Sequence, residues 1–369
     1  MESMRRQLAE IAATPDDRAL TLPGSFYTDP AWFELEVAEV LEPGWQCVGA
    51  AGEIPEPGDY FTVDHLGEPL VVVRSASEEV RVLANVCRHR GMRVVDDAGT
   101  TSAFTCPYHA WSYRLDGGLA TTAYVDEPWF DTEACRLHEW RSEIWNGFVF
   151  VDLSGEATPL AESLQHLGSH MENFEPTSFV WAHTEDEVWN TNWKCVVENF
   201  IEGYHLSVVH PLSLHHLTPT RLARMGPTDD AFTSFWSYFP DDLPSRGPGA
   251  NGITDENRTR SLLYVMFPTQ LVSQNASFLA SLNVFPEAVD RTRIRWTVSA
   301  NRKCDQDLID GAVNMWRTVN AEDHAVLSRL QRALGSRVGR GYAGPLVDED
   351  KEGTIHQFHR HLAARMGVG

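Results

Sequence analysis

Two short segments, NVCRHRGM and TCPYHAW, place Cys87, His89, Cys106 and His109 in the spacing C-x-H-x16-C-x2-H. Thiolate and imidazole are ligands of soft and borderline metals, and two pairs on two short loops can surround one centre. Three arrangements are open. The four can be unrelated core and surface residues, the ligands of one tetrahedral zinc, or the ligands of a [2Fe–2S] cluster with two thiolates on one iron and two imidazoles on the other. Zinc fingers set their two histidines together on a helix, whereas here each cysteine is followed by its own histidine. That order and the CPYHAW context favour iron–sulfur. Neutral imidazoles in place of two thiolates raise the potential, as suits an electron relay.

A second constellation lies in NWKCVVENFIEGYHLSVVHP, residues 192–211, which has the apolar content of a buried helix interrupted by Glu198, Asn199, Glu202, His205 and His210. Burying so many polar groups is costly unless they bind something. On a helix, Glu198, Glu202 and His205 share one face. His205 and His210 are five apart, so the helix is expected to loosen or end between them, before Pro211. A third ligand is sought in VNMWRTVNAEDHAVLSRLQRAL, residues 313–334. There Trp316, Val319, Val326, Leu327, Leu330 and Leu334 are read as an apolar stripe with Asp323 in its middle and Glu322 about 100° away on the flank. A carboxylate centred on a buried face is paired or metal-bound. Two histidines and one carboxylate form the facial triad that leaves open positions on non-haem Fe(II). His205, His210 and Asp323 are therefore the expected ligands. Cys195 is read as core, His215 and His216 as loop residues, and His324 has no assigned role.

The elements that must hold these residues differ along the chain. From about Trp45 to Leu153, short runs such as YFTVDHL, PLVVVRS and GFVFVDL between Gly, Pro and Asp turns predict a small antiparallel β domain. Beyond it, helical stretches alternate with strands such as SLLYVMF and RTRIRWTVSA, an α+β pattern. Residues 240–258, dense in Pro, Gly and Asp, are expected to be a mobile loop, and TIHQFHRHLAARM a terminal helix. Expected boundaries are 41–155 for the cluster domain, with 1–40 and 156–369 forming the second. The 369 residues carry 30 basic and 52 acidic side chains, a formal charge of −22, which disfavours nucleic-acid binding. No apolar run is long enough to span a membrane and no secretory signal is evident, so a cytoplasmic protein is expected.

CRHRG and CPYHAW resemble the cluster loops of Rieske proteins, in which many members have Gly where Ala110 stands. With NWK, ENF, E-x-Y-H-x4-HP and the later ED, the chain resembles the Rieske non-haem iron oxygenases, the ring-hydroxylating alpha-subunit family. The resemblance implies an antiparallel Rieske domain and a catalytic domain of helix-grip type, a [2Fe–2S] cluster on Cys87, Cys106, His89 and His109, and Fe(II) on the triad. It also implies a homotrimer in which Glu202 bridges a cluster histidine and an iron histidine, where most ring-hydroxylating members have Asp. Asn199 and Tyr204 would orient ligands or line the route to the iron. The chain has no nucleotide-binding glycine fingerprint and no plant-type ferredoxin pattern, so a separate NAD(P)H-dependent flavin/iron–sulfur reductase is expected, and Arg88, Arg90, Arg93 and Arg114 could form its dock. LPGSFYTDPAWFELEVAEVLEPGWQCVG and the Glu at 202 are similar to the branch acting on quaternary ammonium compounds. That branch hydroxylates a carbon next to nitrogen and so breaks a C–N bond. Trp236, Tyr238, Phe267 and Phe278 are candidate pocket residues, since a trimethylammonium group favours aromatic faces. The alternatives are hydroxylation of an aromatic ring, and an electron carrier without catalytic iron.

Overall fold

Every strand pair among the described residues of the computed structural model is antiparallel. The structure describes all residues except 124, 126–128, 244–246 and 369. The chain forms two units, Pro43–Leu160 and the combination of Met1–Glu42 with Ala161–Gly369.

In the first unit, strands Trp45–Ala50, Phe148–Asp152, Glu139–Trp145, Val80–Ala84, Glu68–Arg74, Asp59–His65 and Ala98–Thr100 form one sheet in that order. A smaller sheet joins Phe104–Thr105, Ser112–Tyr113 and Leu119–Thr121. The run Leu70–Val73 is fully buried on both faces, each side chain worth about 1.5–3 kcal/mol of burial. Val71, Val73, Leu83 and Tyr113 extend this core to Cys87 and Cys106, so the cysteines are anchored in the apolar interior.

In the second unit, a seven-stranded sheet is built from β1 (Phe179–Trp189), β2 (Ala223–Thr228), β3 (Phe232–Tyr238), β4 (Arg260–Met266), β5 (Gln270–Gln274), β6 (Phe278–Ala288) and β7 (Arg291–Asn301). Its order is β1-β7-β6-β5-β4-β3-β2. Five helices matter for the site: α1 (Pro30–Glu36), α2 (Trp193–Phe200), α3 (Leu206–Val209), α4 (Gln306–Leu334) and α5 (Gly353–Arg365). Helix α4 packs on α2, β1 and β7, while α5 packs on β2 and β3.

The 192–211 segment is more broken than its periodicity predicts. Asn192 caps α2 by accepting from the Lys194 N–H at 3.0 Å. The helix ends at Phe200, before His205 rather than after it, so Glu202 lies off the helix. Gly203 explains the break: a Cβ there would meet the Ala223 Cβ at 2.3 Å, so this close approach to β2 admits only glycine. Helix α3 then restarts with His205 at its N-cap and His210 at its C-cap. Glu198 turns from the histidine pair, accepting from the Tyr27 hydroxyl at 2.8 Å and facing His359 Nε2 at 3.1 Å.

The stripe on α4 also needs correction. Its buried face is Ala312, Val313, Val319, Asn320, Asp323, Leu327 and Gln331, while Val326 and Leu330 are exposed. Over 29 residues the helix crosses successive neighbours, and the buried face rotates with them. Near its end the neighbours are polar: Gln331 accepts from the Asn192 N–H at 3.0 Å and donates to the Tyr27 carbonyl at 2.9 Å. Of the segment expected to be a mobile loop, residues 244–246 lie outside the described residues. Among the others, Ala250, Ile253 and Asn257 are buried and Asp255–Arg258 forms a helical turn, while Asp241, Asp242, Asn251 and Gly252 are exposed.

Candidate functional site

The two Cys–His loops of the first unit share one backbone design. Cys87 N–H donates to the Met92 carbonyl and Cys106 N–H to the Trp111 carbonyl, both at 2.8 Å. Gly91 and Ala110 then donate back to the carbonyls of Cys87 and Cys106 at 2.9 and 3.0 Å. Both closing residues have positive φ, +75° at Gly91 and +57° at Ala110. The two cysteines are buried, whereas His89 is exposed and His109 half-buried. The imidazoles meet at 3.1 Å between their Nδ1 atoms. Trp111 stacks on His89 with centroids 4.8 Å apart, and Tyr108 on His109 at 3.8 Å. The Tyr113 hydroxyl sits 3.2 Å from Cys87 Sγ and accepts from the Arg88 N–H at 3.0 Å. Burial pushes the Cys87 thiol up, a hydrogen bond from Tyr113 pulls it back, and the Cys106 sulfur adds to the rise. Metal binding would draw these protons off.

Sulfurs inside and imidazoles outside is the polarity a cluster with unlike irons requires. Among the described residues, three ligand atoms come within 4.8 Å of one another only at His205, His210 and Asp323. The Cys/His quartet does not converge on a single point, as a tetrahedral zinc would need. It fits the two-iron group.

In the second unit, α3 presents His205 and His210 from its two ends, and α4 brings Asp323 against them. Asp323 Oδ1 lies 3.1 Å from His210 Nε2 and 3.8 Å from His205 Nε2. His210 is fully buried, yet its Nε2 and Asp323 Oδ1 make no hydrogen bond. Buried polar atoms left open in this way mark a place for a missing partner. Burial works against protonating His205, but the carboxylates of Glu202 and Asp323 outweigh it and raise its pKa. The site is an electrostatic well for a cation, and its donor set suits a divalent metal with open positions.

Each imidazole is held from behind. His205 Nδ1 is hydrogen-bonded to Glu202, whose carboxylate also accepts from the N–H groups of Tyr204 and His205. His210 Nδ1 lies 2.7 Å from Glu322 Oε2, and the Ser213 hydroxyl donates to the same oxygen at 2.6 Å. Sequence reasoning missed Glu322 and Ser213. The placing of Glu322 on the flank of α4 was the available signal, because that flank faces His210. Asn199 is half-buried at the last turn of α2 and takes no part in these hydrogen bonds. The Tyr204 side chain is exposed.

A cavity of about 550 Å3 is lined by Leu206, the residue after His205, and by Leu263, Phe278, Met315 and Trp316, with no side chain of the triad among its lining residues. Of the expected aromatic wall, only Phe278 lines it. Side chains alternate along β3, so Ser237 faces the cavity while Trp236 and Tyr238 point from the other face. There Arg260 lies over the Trp236 ring at 3.6 Å and meets the Tyr238 hydroxyl at 3.1 Å. Phe267 packs instead against Phe358 of α5, at 5.7 Å. Trp316 was not expected in the wall. Among the described lining residues, Asp307 is the one charged side chain. His215 and His216 are exposed and do not line the cavity, and His324 stacks on Trp189 at 5.3 Å. Two of the expected docking arginines are ion-paired, Arg93 with Asp64 and Arg114 with Asp116, while Arg88 and Arg90 are exposed. No helix among the described residues is long and apolar enough to cross a membrane.

Comparison with known proteins adds the following. Residues 177–368 match the model of the ring hydroxylating alpha subunit catalytic domain, and residues 44–127 that of the Rieske [2Fe-2S] domain. The carnitine monooxygenase oxygenase subunit of Acinetobacter pittii is 27% identical, the alignment covering 99% of each chain. The glycine betaine monooxygenase oxygenase subunit of Chromohalobacter salexigens is 36% identical over 53% of this chain and 44% of its own. A crystal structure of the quaternary ammonium Rieske monooxygenase CntA superposes with a TM-score of 0.84 at 26% identity, covering 97% of this chain and 98% of that one.

Proposed function

Because the chain belongs to the ring-hydroxylating alpha-subunit family and carries a Rieske domain, we propose that it oxidises a quaternary ammonium compound at a carbon next to nitrogen. Cys87, Cys106, His89 and His109 would hold the cluster, and His205, His210 and Asp323 the iron. When bound, these groups supply electrons one at a time and the capacity to reduce O2. In the overall balance, one oxygen atom enters the C–H bond and the other leaves as water, with two protons and two electrons taken up. The hydroxylated carbon then releases its nitrogen: the C–N bond breaks with its electron pair going to nitrogen, the hydroxyl proton is lost as C=O forms, and an aldehyde and a tertiary amine result.

The chain's own residues prepare this chemistry. Leu206, Leu263, Met315 and Trp316 line the cavity that would take the apolar part of the substrate. Glu202 holds His205 and, in a homotrimer, would link it to a cluster histidine of the neighbouring subunit. Arg88 and Arg90 would meet a separate NAD(P)H-dependent reductase. The observation that carries the substrate class is full-length similarity to an oxygenase subunit named for carnitine. The cavity agrees with it: its one charged described wall is a carboxylate, which attracts a cation.

The test is substrate-dependent O2 uptake with reductase and NAD(P)H, across alkyl ammonium compounds, betaines and aromatic acids, with aldehyde measured. Coupled turnover of an ammonium compound is expected, with Asp307→Asn raising its KM several-fold. Turnover confined to aromatic acids would replace this reading with ring hydroxylation.

A further inference from the structure

An iron histidine must offer an unprotonated Nε2, and which ring nitrogen carries the proton is set by what the other nitrogen meets. At His210 the geometry answers this directly. Nδ1 faces Glu322 Oε2 at 2.7 Å, and a carboxylate oxygen in that place favours the tautomer that donates from Nδ1. Nε2 is thereby left with its lone pair, directed toward Asp323 Oδ1 at 3.1 Å and making no hydrogen bond. The Ser213 hydroxyl donates to the same Glu322 oxygen at 2.6 Å, fixing the carboxylate from the chain that leaves His210. Glu322 remains 28% exposed at its side chain, while that of His210 is at 0%.

We propose that Glu322 is a positioning residue for the metal, holding His210 in the ligating tautomer and orientation through Nδ1. One turn of α4 thus provides both a ligand, Asp323, and the support for a ligand on α3. Glu322 and Glu202 form a matched pair, one behind each imidazole. The role is distinct from any bridge to the cluster, because Glu322 reaches His210 and not His205. This inference rests on the reading of the triad as the iron site.

The test uses cluster-loaded protein whose mononuclear site has been emptied by a chelator, titrated with Co2+ against a competing fluorescent chelator. Glu322→Ala is expected to weaken Co2+ binding by about 10–100-fold. Glu322→Gln, whose amide oxygen accepts the same proton, should return it to within about threefold of wild type, a rescue that a packing role would not require. Ser213→Ala, which leaves the carboxylate but loosens it, should fall between. The thermal midpoint of the metal-free protein should not follow this order. Equal Co2+ affinity in Glu322→Ala and wild type would overturn the proposal, as would equal losses in the Ala and Gln variants. Wild-type protein that takes up no Co2+ would instead overturn the iron reading, and the positioning role with it.

Discussion

Ala110 occupies the left-handed region at φ +57°, where its counterpart in the other loop is Gly91. A Cβ in that conformation costs roughly 1–2 kcal/mol, less the entropy a glycine would lose. Ala110→Gly is therefore expected to stabilise the cluster unit by about 1 kcal/mol, read as a higher denaturant midpoint. At the second centre, Glu202→Gln separates support from bridging. The amide keeps an acceptor for His205 Nδ1 and for the adjacent N–H groups, so iron content should stay at the wild-type level. A bridge that needs the negative charge predicts that O2 uptake with substrate falls about 100-fold. Undiminished turnover in this variant would remove the bridging role.

At the level of elements, α1 and α2 are joined through a buried ion pair. Lys194 Nζ lies 2.7 Å from Glu36, which also accepts from Trp32 Nε1 at 2.6 Å and Trp193 Nε1 at 3.1 Å. Burial raises the Glu36 pKa, with Lys194 and the two indole N–H groups pulling it down. Because the folded carboxyl holds its proton more tightly than the unfolded one, this group's contribution falls as pH rises through its folded pKa. Lys194→Met removes the opposing charge and should cost about 3–5 kcal/mol at neutral pH. Part of that loss should be recovered as pH is lowered through the raised Glu36 pKa. Urea unfolding at several pH values checks both the size and the sign. The strands around this tie were legible in the sequence, because alternation and turn residues are local signals. The residues expected as ligands stood out by type and spacing alone, and the structure brings three of them, His205, His210 and Asp323, together. The break before His205 was not, since it depends on Gly203 touching Ala223 of β2. The facing of Trp236 and Tyr238 depends likewise on register, which a run of aromatics does not reveal.

For the molecule as a whole the formal charge is −22, and Arg88 and Arg90 of the first Cys–His loop stand exposed. If these two arginines guide the reductase, Arg88→Gln with Arg90→Gln should slow cluster reduction roughly tenfold at low ionic strength. The gap should close near 1 M salt, where the screening length is about 3 Å. Stopped-flow bleaching of the cluster gives the rates, and a gap unchanged by salt would remove electrostatic guidance.

The second unit is assembled from both ends of the chain, with Pro43–Leu160 inserted between its parts. During translation, Cys87, His89, Cys106 and His109 emerge before His205, His210 and Asp323. Asp323 follows Leu160 by 323 − 160 = 163 residues, roughly 8–30 s of ribosome time at about 5–20 residues per second. The sequence of the first unit is thus complete while the second still lacks its C-terminal part, so the inserted unit can fold ahead of the one it interrupts.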